Sequence, residues 1–464
     1  MARGLAAAGF QHNLMVERDP HAAETLRGND DSARWPLYAD DVRKLDYTSL
    51  GAVITLLAAG VPCQPFSQGG AHAGPADQRN MFPETFQAIR ALRPRAVLIE
   101  NVRGLARPKF APFVDYLVDH LRAPHLALGS NESWRGHHRR LKTALDNDAD
   151  LGGDRYSVEW HPVCTADYGV AQRRVRVIMV AIRSDLAFWW HWPRPTHSAD
   201  SLLREKLDGY YWAEHGLSAP LLDLPRETVA RARRLAHPLH RQRWRTLRDV
   251  IGDLAVPGSS DAGTLQGHVA WPGARLYRGH GGSALDEASK TIKAGVHGVA
   301  GGEHIVHLDD GSYRYMTVRE CMRVQDLPDS MRIDGTRTGA MRQIGNAVPP
   351  AVAEAFGLAI ARAVCDPAAV PRAEYVERQD IAAGGYLRRQ IVIDGRRLTA
   401  SVRIQRGYAY LYFNRAAGTP VYLGSVAEGS KDDQLYQGWQ RAHEQRSDLF
   451  IALEDASRTF RAAS

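Results

Sequence analysis

Residues Gly60 to Gly70 read Gly-Val-Pro-Cys-Gln-Pro-Phe-Ser-Gln-Gly-Gly and follow directly on the apolar run Ala52 to Ala59. This loop puts the Cys63 thiol at the end of an expected strand, where open α/β sheets bind their ligands, and Pro62 and Pro65 restrict the backbone around it. A positioned nucleophile is one reading. A packed, inert thiol is the other, since free cysteine is among the most buried residue types. Three more polar clusters stand out. Glu100-Asn101-Val102 follows the apolar run Ala96 to Ile99, where a carboxylate can simply satisfy a turn. Gln172-Arg173-Arg174-Val175-Arg176 leads into Val177 to Ala181, and alternation puts Arg174 and Arg176 on one strand face, as it would two solvated arginines. Gln343-Ile344-Gly345-Asn346-Ala347-Val348-Pro349-Pro350 reads as a glycine turn opening a helix.

The elements that must position these residues are visible as short apolar runs alternating with helical patterns. The runs are Leu14 to Glu17, Ala52 to Ala58, Ala96 to Glu100, Tyr156 to Val163 and Val175 to Ile182. Such alternation predicts an α/β fold, a sheet flanked by helices on both faces. The polar, aperiodic stretch from Pro124 to Asp154 reads as a surface insertion. From Ser184 to Ser312 the pattern is irregular and rich in Gly, His and Arg, as in a separate loop-rich domain. Thr317 and Glu320 form a capping box that should start a short helix. A further helix is expected from Pro349 or Pro350, with Val352, Phe356, Ile360 and Val364 along its core face. Asp366 to Pro371 reads as a linker. Beyond it Arg389 to Ile393, Leu398 to Gln405 and Tyr408 to Asn414 have strand character, with hairpin turns at Asp394-Gly395 and Arg406-Gly407. A helix around Gln434 to Gln445 would complete a small α+β module. The resulting domain plan is 1–183, 184–312, 313–365 and 372–464, with the third segment completing the first.

At 464 residues the chain has room for two or three cores. Its four cysteines, Cys63, Cys164, Cys321 and Cys365, are far apart and form no CxxC pair. That usage suits a reducing cytoplasm and argues against a metal site. No stretch reads as a signal peptide or a membrane span. The net charge of +7 permits nucleic-acid binding. Arg231, Arg233, Arg234, Arg241, Arg243, Arg245 and Arg248, interleaved with His237, His240 and Trp244, suit either phosphate contacts or a solvated face.

In order and at domain-scale spacing, the four clusters resemble the C5-cytosine DNA methyltransferase family. The resemblance runs from about Gly4 to Val364 and includes Arg319-Glu320-Cys321 to Pro328-Asp329. It implies a doubly wound, mostly parallel sheet of the S-adenosylmethionine-dependent type, with 184–312 as the target-recognition domain. It also implies that Cys63 adds to carbon 6 of a cytosine flipped out of duplex DNA. Glu100, held protonated by a raised pKa, would supply the proton at ring nitrogen 3, and Arg174 and Arg176 would orient the base and hold the phosphate backbone. Carbon 5 would then take the methyl group of S-adenosylmethionine. On the cofactor side the resemblance implies Glu17 for the ribose hydroxyls and Asp41 for the adenine amino group, with Pro62 and Asn346 also in that pocket.

One departure accompanies the match. Family members open with a strand and a loop of the form Phe-x-Gly-x-Gly-Gly, whereas Met1 to Phe10 resembles the helix that follows that loop. By this comparison the chain begins one strand and one loop late, through a misplaced start or a real deletion, and as written should bind S-adenosylmethionine poorly. The expected protein is a cytoplasmic monomer acting on double-stranded DNA, with a cognate restriction endonuclease as a possible companion. A catalytically silent DNA-binding relative and a tRNA cytosine-5 methyltransferase stand as alternatives. Ser289 to Gly295 resembles a segment common near the end of the recognition region, with no individual roles assigned. The module from Glu374 matches nothing in the family. Its Tyr408, Tyr410 and Tyr412, with nearby arginines, suit a nucleic-acid surface or packing on the catalytic domain equally.

Overall fold

The structure is a computed structural model that describes residues 1–29, 33–51, 53–62, 81–147, 154–186, 190–220, 225–234, 241–260, 262, 265–276, 281–294 and 304–364. It also gives the backbone of four strands between 386 and 427. Cys63 and the rest of its loop, the linker at Asp366 to Pro371, the hairpin turns at Asp394-Gly395 and Arg406-Gly407, and the helix expected at Gln434 to Gln445 lie outside the described residues.

The chain divides into Met1–Cys365 and Asp366–Ser464. The first unit begins with α1 (Ala2–Ala7), β1 (Met15–Val16), α2 (Pro20–Arg27), β2 (Leu37–Tyr38), β3 (Leu56–Gly60), α3 (Phe82–Leu92) and β4 (Ala96–Val102). It continues through α4 (Ala111–Arg122), α5 (Trp134–Asp146), β5 (Tyr156–Cys164) and β6 (Val175–Arg183). The main sheet has the order β3-β4-β6-β5, while β1 and β2 form a separate parallel pair.

Strand alternation explains the layers. Val177, Met179 and Ala181 of β6 share a core with Val97 and Ile99 of β4 and with residues of α3, α4 and α5. Ile178, Val180 and Ile182 face the other way, joining Ala96 and Leu98, Leu5 of α1 and the C-terminal helix of the unit. Both faces of β4 and β6 are therefore covered by helices, and their central stretches, 96–99 and 177–182, are apolar throughout. The expectation of a mostly parallel sheet is only half met. β3 pairs with β4 in parallel, but β4–β6 and β6–β5 are antiparallel. The reason is the connection. Cys164 to Val175 spans only the 3-10 turn Thr165–Tyr168 and a few residues beyond it, too short for the crossover that parallel strands need.

The insertion read between Pro124 and Asp154 contains a regular helix, α5, capped by the Ser133 hydroxyl, which accepts from Gly136 N–H at 3.1 Å. Its buried face is built from Trp134, His137 and Leu141, so the apolar period is masked by histidine.

The region from residue 184 contributes β7 (His197–Ser198), α6 (Ala199–Asp208), α7 (Tyr210–Glu214), α8 (Arg226–Arg234), β8 (Gln242–Arg243), α9 (Leu247–Ile251), β9 (Ser283–Ala284) and β10 (Ile305–His307). Next come β11 (Tyr313–Tyr315), α10 (Val318–Val324), α11 (Arg337–Asn346) and α12 (Pro350–Val364). Leu247, Val250, Ile251, Ile292 and Val306 share one core with Met316, Met322, Met341 and Ile344, so this region and the return segment pack as one body from α9 onward. The capping box forms as expected, with Thr317 and Glu320 bonding reciprocally to each other's backbone. α12 buries Val352, Phe356, Ile360 and Val364. The stretch Arg337–Val364 is apolar enough on average to cross a membrane, but it is two helices broken at Ala347 to Pro349, and half of its apolar window is buried inside the protein.

The second unit is an antiparallel four-stranded meander of β12 (Tyr386–Ile393), β13 (Arg396–Gln405), β14 (Tyr408–Asn414) and β15 (Val421–Ala427).

Candidate active site

The site is assembled at the C-terminal ends of β3 and β4. In the parallel register Gly60 is paired with Glu100, so the loop that carries Cys63 leaves β3 one strand spacing from that carboxylate. Asn101, 1% exposed, donates from Nδ2 to the Val61 carbonyl at 3.3 Å and pins the start of the loop to β4. Pro62 follows, exposed. Glu100 is buried at the strand end, and its Oε1 lies 3.0 Å from Arg176 Nε. Arg176 reaches it because β6 runs antiparallel to β4, setting Arg176 opposite Val102.

Arg174 is buried and Arg176 partly so, against the reading of two solvated arginines, yet they do different work. Arg174 precedes β6, is 1% exposed, and donates to the carbonyls of Ile292 at 3.0 Å and Gly345 at 2.5 Å. Its guanidinium thus fastens the strand entry to 291–294 and to the end of α11. The motif around Gly345 is not the turn expected but the last helical turn of α11. A Cβ on Gly345 would overlap the backbone of Lys293 and Ala294, so glycine is what allows that segment to lie on the helix.

Sequence reasoning missed a glutamine relay behind these arginines. Gln172, fully buried, accepts from Ile292 N–H at 2.9 Å and donates to Gln325 Oε1 at 2.7 Å. Gln325 in turn donates to the carbonyls of Ile344 and Ala347, at 2.5 and 3.1 Å. The only signal was a polar residue inside each motif, since amide networks leave no period.

Two of the four residues expected at the cofactor, Glu17 and Asp41, follow the C-terminal ends of β1 and β2, the ligand-binding edge of parallel strands, while Pro62 follows β3 and Asn346 ends α11. Glu17 follows β1, and its Oε1 accepts from Asp19 N–H at 2.8 Å. Asp41 follows β2 and caps a 3-10 turn. Arg43 contacts its carboxylate at 2.5 Å and holds it well below the usual carboxylate range. Arg18 bridges the two segments, 3.5 Å from Asp41. Arg342 of α11 pairs with Asp19 at 2.5 Å, one helical turn before the exposed Asn346. Fixed carboxylates at the end of parallel strands suit a ribose and an amino group, so the donor set fits a nucleoside.

Two arginines of the arginine-rich stretch are spent inside the fold. Arg243 is paired with Glu205, Glu214 and Asp249 at 2.6 to 3.1 Å, and Arg248 with Asp286 and Asp309 at 2.7 and 2.6 Å. These two arginines make structural ion pairs and are not free for phosphates, because each is already held by two or more carboxylates. Burial raises the Cys164 thiol pKa and pushes that of Cys321 up to about 12, so neither described cysteine suits nucleophilic attack. Among the described residues no cluster of His, Cys, Asp and Glu could hold a metal.

An Arg-paired glutamate at a strand end and fixed carboxylates after a parallel strand pair thus lie on one α/β scaffold. The chain belongs to the C-5 cytosine-specific DNA methylase family, whose model matches residues 1–123 and 133–362. It is a DNA cytosine-5-methyltransferase. Type II methyltransferase M.NgoMIV of Neisseria gonorrhoeae is 31% identical over 78% of this chain and 94% of its own length. Type II methyltransferase M.NaeI of Lentzea aerocolonigenes is also 31% identical, over 78% of this chain and 72% of its own. Among solved structures, the S. pombe Dnmt2 methyltransferase covers 78% of the chain at 16% identity and a TM-score of 0.44, a likeness too slight to carry any argument.

Proposed function

We propose that the chain methylates carbon 5 of a cytosine flipped out of a specific double-stranded DNA sequence, through a covalent adduct of Cys63. The Cys63 thiolate adds to carbon 6, and the electron pair moves toward ring nitrogen 3, which takes a proton from Glu100 after that carboxylate, paired with Arg176, has taken one up from solvent. Arg176, already bound to Glu100, holds that carboxyl in place and donates to the ring carbonyl. S-adenosylmethionine supplies the methyl group when bound. Loss of the carbon-5 proton then expels Cys63. Arg174 acts at one remove, by holding the Ile292 and Gly345 carbonyls in place. Glu17, Asp41, Pro62 and Asn346 hold the cofactor. Extruding the base costs about a few kcal/mol, offset by contacts in the pocket.

The observation that carries this reading is the pairing of Glu100 with Arg176 at the strand end where the Cys63 loop departs. The names of the relatives support a Type II restriction-modification setting, with a cognate endonuclease as partner and the cytoplasm as location. Nucleoside mass spectrometry of DNA from expressing cells tests it. 5-Methylcytosine should be present with the parent chain and absent with Cys63→Ala; methylation by that variant would overturn the mechanism.

A further inference from the structure

The methyl-transfer reading involves only the first unit and leaves the second without a role. The four strands of that unit hold five arginines, at 388, 389, 396, 397 and 403, and no Asp or Glu. Register sorts the residues by face. Arg403 is paired with Tyr386 on one side and Tyr410 on the other, Arg388 with Ser401, and Gln405 with Tyr408, so these share a face with Tyr412. The opposite face takes Val402 with Leu387 and Leu411, Ile391 with Leu398, and Phe413 with Ala400, together with Arg389 and Arg396.

The first face combines three tyrosines in line, about 7 Å apart along β14, with Arg397 and Arg403 on the adjacent β13 and Arg388 on β12 beyond it. Arginines alone would suit any phosphate backbone. A line of aromatic residues adds to this only where bases are unpaired and offer a face for stacking, and paired bases in a duplex do not. We propose that this face is a binding surface for single-stranded DNA, with bases stacked on Tyr408, Tyr410 and Tyr412 and phosphates held by Arg388, Arg397 and Arg403. The proposal stands apart from the methyl-transfer reading and would survive its failure.

Fluorescence anisotropy of the full chain with a labelled 20-nucleotide thymidine strand tests it, since that strand offers the catalytic site no cytosine. The single strand should bind more tightly than the same strand annealed to its adenosine complement. Tyr410→Phe, which keeps the ring, should bind like the parent, and Tyr410→Leu, which keeps the bulk, about tenfold more weakly. Arg403→Gln should lower the slope of log affinity against log salt by about 0.7. Equal binding by the Phe and Leu variants, an unchanged salt slope, or preference for the duplex would overturn the proposal.

Discussion

Arg176 Nε lies 3.0 Å from Glu100 Oε1, and the two side chains are 14% and 10% exposed. The pair joins β4 to β6 at the point where β3 releases the Cys63 loop. Glu100→Gln keeps the shape and most of the hydrogen bonding but removes the transferable proton. Methyl transfer should fall about a hundredfold to ten-thousandfold in single-turnover assays. Glu100→Ala should also destabilise the fold by about 3 to 5 kcal/mol in urea titration, because it leaves a buried guanidinium without its carboxylate.

Arg174→Met tests the division of labour between the two arginines. It strips the Ile292 and Gly345 carbonyls of a buried donor, and stability should drop by about 1 to 3 kcal/mol for each. If Arg174 instead touched the base, urea stability would hold while the KM for DNA rose.

Gly345→Ala sets a methyl group against the backbone of Lys293 and Ala294. That backbone cannot yield without also displacing the Ile292 groups bound to Arg174 and Gln172. A loss of about 1 to 3 kcal/mol is expected, with greater proteolytic sensitivity near residue 294.

These contacts show where the sequence was legible and where it was not. The strands at 96–102, 156–164 and 175–183, the Thr317 capping box and the Val352 to Val364 stripe were all readable, because period and cap chemistry are local. The antiparallel turn of β6, the helix α5 and the spending of Arg243 and Arg248 on internal carboxylates were not. The short Cys164 to Val175 connection sets the first, His137 masks the period of the second, and the third depends on what distant segments bring, such as Asp286 and Asp309 to Arg248. The two-residue strand β2 is too short for any pattern. For the site, residue types and order pointed to Glu100 and Arg176, but only the fold separates Arg176, on the carboxylate, from Arg174, on backbone carbonyls.

His120 of α4 makes the protein sensitive to acid. It is 2% exposed and stacked on Phe86 at 3.6 Å, and neither ring nitrogen has a hydrogen-bond partner among the described residues. Burial, with smaller contributions from His137, Arg90 and Arg140, lowers its pKa from 6.5 to about 2. The folded protein keeps it neutral while the unfolded chain binds a proton below pH 6.5, so stability is lost as pH falls from 6.5 toward 2. The slope should approach about 1.4 kcal/mol per pH unit from this residue alone. His120→Phe should remove that share of the slope in urea titrations between pH 7 and 5.

The covalent role of Cys63 is tested most directly by intact-mass spectrometry of the protein mixed with S-adenosylmethionine and duplex DNA carrying 5-fluorocytosine at the target. Fluorine replaces the proton that must leave carbon 5, so the adduct cannot resolve. The account predicts a species heavier by one methylated DNA strand, with the strand attached at Cys63 and absent in Cys63→Ala. Active methylation of ordinary duplex with no adduct on the fluorinated one, or an adduct at another residue, would contradict it.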